Sequence, residues 1–106
     1  MVKMNSLITL DLNFQETIAT EERKYAIREY LYLLLLNYGF QKSRYTETTF
    51  IHSKDCPTAL EVINYEEHVS NLIRTHKNTT SSQFSARFKV QITILVSKSE
   101  PHGDIF

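Results

Sequence analysis

The stretch "FSARFKVQITILVS", Phe84 to Ser97, decides how the chain is read. Phe84, Ala86, Phe88, Val90, Ile92, Ile94 and Val96 fall on one side of an extended strand. Ser85, Arg87, Lys89, Gln91, Thr93 and Ser97 fall on the other, and only Leu95 breaks the pattern. A period of two over this length specifies a strand with one covered face and one face open to water or to a partner.

The same alternation occurs in "SLITLDLNF", Ser6 to Phe14, with Ile8, Leu10, Leu12 and Phe14 inward and Thr9, Asp11 and Asn13 outward. Between the two lies a helical segment. Thr20 is a capping residue, and Glu21 and Glu22 suit the positive end of a helix dipole. Ile27, Leu31, Leu34 and Tyr38 form one stripe, and Gly39 suits the left-handed position that closes a helix. "FQKSRYTETTFIHS", Phe40 to Ser53, is rich in Thr, Tyr and Phe and reads as one edge strand. "KDCP" reads as a turn. "TALEVINYEEHVSNLIRTHK" admits one helix from Thr58, but Asn64 with Glu67 three residues on resembles a capping box. The expectation is therefore a strand over 58–63 and a helix over 64–77, followed by a polar loop, "NTTSSQ".

The resulting order is strand, helix, strand, strand, helix, strand. It predicts an α+β chain of the ferredoxin-like βαββαβ type, a four-stranded antiparallel sheet with two helices on one face. The first and third strands are then central, and the last lies beside the first. The 106 residues are enough for one domain, with 1–5 and 99–106 expected as loose termini. Twelve basic and twelve acidic residues cancel, so any nucleic acid must be held by a local patch. Met1 to Leu10 lacks the apolar run of a leader. "YLYLLLLNY" is far shorter than the roughly 20 residues a bilayer span needs. The single Cys56 has no internal disulfide partner. Together these predict a cytoplasmic protein with no membrane partner.

The chain has no Gly-rich phosphate loop, no paired cysteines, no HExxH and no GxSxG. His68 and His76 stand two helical turns apart, too far for one metal site. Cys56 needs a base to be reactive, and His52 is the nearest candidate across the expected hairpin. Asp11 lies near the end of a central strand on the open face. It can supply an oxygen ligand to Mg²⁺ or pair with Arg87 or Lys89 on the next strand. Arg87, Lys89 and Gln91, joined by Lys42 and Arg44, can meet phosphates or form a solvated face. No Phe or Tyr accompanies them, so base stacking is not expected.

The layout resembles a family. "LITLDLN", "NYGFQKSRYTETTF" and the last strand resemble the ferredoxin-like small endoribonucleases: the second core CRISPR adaptation protein, virulence-associated protein D and the GhoS antitoxin. "EEHVSNLIRTHKN" followed by "FKVQITILVS" is similar to the second helix and last strand of that group. The resemblance implies a small cytoplasmic homodimer of toxin–antitoxin type acting on RNA. Asp11 would be its catalytic, metal-holding acid, and Ser43 would match the small hydroxyl residue after "GF". Arg44, Arg87 and Lys89 are the expected nucleic-acid contacts. The alternative is a noncatalytic dimeric module that binds a protein partner, for which Leu7, Leu95 and the surplus leucines of the first helix offer apolar surface. The dimer is expected because the long last strand is an edge in this topology.

Overall fold

A computed structural model describes residues 2–15, 20–44, 46, 48–96 and 102–106. Most of the loop expected between Phe14 and Thr20 lies outside these residues, as do Ser97 and residues 99–101. Five strands form one antiparallel sheet in the order β2-β3-β1-β4-β5. The central strand β1 is Val2–Phe14, paired on one side with β3, Thr49–Cys56, and on the other with β4, Phe88–Val96. Short strands close the edges: β2, Phe40–Lys42, beside β3, and β5, His102–Ile105, beside β4.

The alternation in β1 and β4 holds residue by residue. Ile8, Leu10, Phe88, Val90, Ile92, Ile94 and Val96 are buried, while Thr9, Asp11, Asn13, Lys89, Gln91 and Thr93 are exposed. Three helices accompany the sheet. Helix α1, Glu21–Asn37, starts at Thr20, whose side chain accepts from the Arg23 amide at 3.1 Å. It buries Ile27, Leu31, Tyr32 and Leu35 rather than Leu34 and Tyr38, and Gly39 follows it at φ +91. Helices α2, Ala59–Ile63, and α3, Tyr65–Phe84, follow one another across Asn64. Tyr65, Val69, Ile73, His76 and Thr80 form the buried stripe of α3, at the three- and four-residue steps of a helix.

Several expectations are corrected, first the count of four strands and two helices, since the described residues form five strands and three helices. The strand expected at 40–53 is a hairpin. Its polar middle forms the connection, closed by the Ser43 amide donating to the Thr49 carbonyl at 2.8 Å. The second half continues through Lys54 and Asp55 to Cys56, so "KDC" is strand and not turn, and Cys56 is buried. The place beside β1 is therefore taken by 49–56. Residues 59–63 are helical, because the capping box lies at Thr58 and not at Asn64. Thr58 Oγ1 accepts from the Glu61 amide at 3.2 Å and donates to the Glu61 carboxylate at 3.1 Å, while the Asn64 side chain caps nothing.

The polar run "NTTSSQ" continues α3 because its hydroxyls bond back into the helix. Thr79 donates to the Thr75 carbonyl at 3.0 Å and Thr80 to that of His76 at 2.8 Å. Ser85 then ends the helix in the left-handed conformation at φ 49, so the last strand starts at Phe88 and not Phe84. Finally, the termini are not loose where they are described. Residues 2–5 pair with 53–56, and the C-terminal segment forms β5. Phe106 exchanges two backbone hydrogen bonds with Val90, at 2.8 and 2.9 Å, so β4 is an interior strand.

Candidate functional site

The face of the sheet away from the helices is divided along its length. Midway along β1, Ile51 stands directly opposite Leu7 and Leu7 directly opposite Leu95, with the polar pairs Asn5–Ser53 and Lys3–Asp55 beyond them at one end. The three form one unbroken apolar row across β3, β1 and β4, with 40%, 42% and 42% of their surfaces exposed. Thr49, Thr9 and Thr93 form the next row. Direct cross-strand neighbours have Cβ atoms about 5 Å apart, so each row is continuous.

Toward the other end the face is polar. Asp11 stands opposite Gln91, and Asn13 opposite Lys89. Arg87 precedes β4 at the same end, its carbonyl accepting from the Gln15 amide at 3.1 Å. The hairpin connection carrying Arg44 reaches this end too, since the Thr48 carbonyl accepts from the Leu10 amide at 2.8 Å. The structure thus gathers Asp11, Arg44, Arg87 and Lys89 at one end of the sheet. Lys42 is not among them. It lies on the helix side with its ammonium 5.5 Å from the centre of the Tyr32 ring. Asp11 faces an amide across the strand rather than either basic residue. Among the described residues no group of three His, Cys, Asp or Glu side chains is placed to hold a metal.

A second cluster, absent from the sequence reading, lies on the covered face. Ser6, His52 and Tyr65 are all buried. The Tyr65 hydroxyl lies 2.9 Å from Ser6 Oγ, 2.8 Å from His52 Nδ1 and 3.1 Å from the His52 carbonyl. One arrangement satisfies all three contacts: Tyr65 donates to the carbonyl and accepts from the serine hydroxyl and from Nδ1–H. Burial, with help from His68 and Lys54, lowers the His52 pKa to about 4. Burial also pushes the Tyr65 phenol up. The rings of His52 and His68 are 6.2 Å apart, and burial lowers His68 as well, with Lys54 adding to the effect and Glu61 opposing it.

His52 is only 3% exposed, so this cluster is a hydrogen-bonded part of the core. Cys56 and His52 are both on β3, four residues apart, not across a hairpin. His76 is buried, its ring 4.4 Å from that of Tyr38. Sequence patterning carries one trace of the cluster: Ser6 and His52 sit at inward positions of their strands. No helix of the described residues is long and apolar enough to cross a membrane. Compared with known proteins, the chain matches no family model, no curated protein and no solved structure.

Proposed function

We propose that the chain is a noncatalytic, self-pairing interaction module that docks through the open face of its sheet. The observation that carries this reading is the apolar row Ile51–Leu7–Leu95, in direct register across three strands and exposed at each position. A second copy of the same chain is the occupant. The strands of this face carry Lys3 opposite Asp55 at one end and Lys89 one row from Asp11 at the other. A two-fold axis across the strands sets the basic end of one copy, with Arg44, Arg87 and Lys89, against the balanced Lys3–Asp55 end of the other, so like charges do not meet.

Strands of 13, 3, 8, 9 and 4 residues, at ~3.3 Å per residue and ~4.8 Å between strands, give a face of ~590 Å², about three quarters of the ~800 Å² each partner buries in a stable complex. Edge pairing is disfavoured, because the edge strands have only three and four residues. The strand order, with β1 central between β3 and β4, supports the ferredoxin-like reading, to which β5 is an addition.

A second reading is favoured by the polar end. Lys89, Arg87 and Arg44 would contact the phosphates of an RNA strand, and Asp11 would hold Mg²⁺ or position a water, as the family resemblance implies.

Light scattering at tens of micromolar protein separates the two. The module reading expects twice the 12.4 kDa monomer mass. It also expects the monomer mass for a Leu7→Lys, Leu95→Lys variant whose far-ultraviolet circular dichroism is unchanged. Leu33→Glu, on the exposed side of α1, should leave the dimer intact. A monomeric wild type ends the self-pairing reading, and salt-sensitive RNA binding by that monomer would establish the second.

A further inference from the structure

On the opposite side of the molecule, between the first half of α3 and β5, lies a cleft of about 340 Å³. Its walls carry three carboxylates, Glu66 and Glu67 from the helix and Asp104 from the strand, against one guanidinium, Arg74. Within those walls the Arg74 guanidinium lies 4.8 Å from the centre of the Phe106 ring and donates to Asn71 Oδ1, also of the lining, at 3.3 Å. Ser70 also lines the cleft. It is 5% exposed, and its hydroxyl has no hydrogen-bond partner among the described residues. A helical serine in the core ordinarily bonds back to the carbonyl four residues earlier, as Thr79 and Thr80 do in this same helix. An unpaired hydroxyl at the wall of an acidic cleft is a polar atom in want of a ligand.

We infer that this cleft binds an organic ammonium group, with Glu66 and Asp104 as its counter-charges and the Ser70 hydroxyl as an additional acceptor. A primary ammonium has three donors and no acceptor, which suits two carboxylates and a hydroxyl. The carboxylates belong to two elements on either side of the cleft, and the described residues form no three-ligand metal group. The charge is thus spread over a space that fits an ammonium on an aliphatic stem better than a bare divalent ion. Ile63, at the rim, offers apolar surface to such a stem. The same chemistry comes from two sources, a free aliphatic diamine or the lysine side chain of a protein. The inference does not rest on the self-pairing reading, since the open sheet face takes no part in it.

The test is an amide-resolved NMR titration of the full chain with 1,5-diaminopentane, with 1,5-pentanediol as the uncharged control, and with a lysine-containing peptide beside its Nε-acetylated form. The expected result is saturable shifts confined to residues 63–74 and 103–106 with the diamine and none with the diol. Glu66→Gln combined with Asp104→Asn should weaken binding at least tenfold, and Ser70→Ala severalfold, with the rest of the spectrum unchanged. Binding of the lysine peptide but not its acetylated form assigns a protein-borne lysine; binding of the diamine alone assigns a free amine. Equal shifts from diol and diamine, or unchanged affinity in the double variant, overturn the inference. Should that variant unfold, Glu66→Gln and Ser70→Ala singly carry the same comparison, and unchanged affinity in both likewise overturns it.

Discussion

Acid should destabilise this protein through His52, and the size of the effect follows from the core. The imidazole is buried, with Nδ1 on the Tyr65 hydroxyl and with His68 and Lys54 as its charged or titratable neighbours. It takes a proton at pH about 4 in the folded chain and near 6.5 when unfolded. Between these values the unfolded chain binds more protons, so stability falls as pH drops from 6.5 toward 4. The full difference corresponds to about 3 kcal/mol, of which about 2 kcal/mol is lost between pH 7 and pH 5. For a domain of this length that is a fall in melting temperature of about 8 °C. His68 and His76 are lowered too, chiefly by burial, and add loss of the same sign. The measurement is urea unfolding of wild type and of His52→Gln at both pH values. The variant removes the titrating ring, so wild type should lose about 2 kcal/mol more than the variant on acidification. Equal losses in the two proteins would refute the assignment to His52, whatever their absolute stabilities.

Tyr65→Phe leaves Ser6 and His52 without their shared partner and should cost about 1–3 kcal/mol in the same urea assay, although only one oxygen is removed. Val90→Asp places an unpaired carboxylate at a fully buried position between the sheet and its helices, which costs several kcal/mol. A cooperative melt at the wild-type temperature would show that the register of β4 is wrong. If RNA binds at the polar end, affinity measured by fluorescence anisotropy should fall by roughly 0.7 log units per log unit of salt for each phosphate contact. Replacing Arg87 and Lys89 with alanine should flatten that slope. Asp11→Ala should abolish any Mg²⁺-dependent cleavage and leave binding nearly intact, and cleavage that survives would remove Asp11 from the chemistry.

The sequence by itself determined the parts whose information is local. Alternation in Ile8–Phe14 and Phe88–Val96, broken only at Leu95, settles which side chains of β1 and β4 are buried, because a shift by one residue would turn the inward apolar groups to water. Thr20 and Gly39 bracket α1 by cap chemistry alone. Where two local signals competed, the sequence left the choice open. Thr58 with Glu61 and Asn64 with Glu67 are both capping-box patterns, and only the packed chain shows that the first operates.

Tertiary structure decided what depends on register. Which residues of the stretch 40–56 lie beside β1 is set by pairing across some forty residues, and that pairing puts Ile51 next to Leu7. A single exposed isoleucine thereby becomes part of a continuous row. Ser6, His52 and Tyr65 meet only because strand and helix close on each other over as many as 59 positions in the chain. No spacing encodes such a contact. The acidic cleft likewise exists only because β5 carries Asp104 back to α3. Strand faces and helix ends follow from periodicity and capping, whereas groupings of side chains from distant segments follow from how those faces dock.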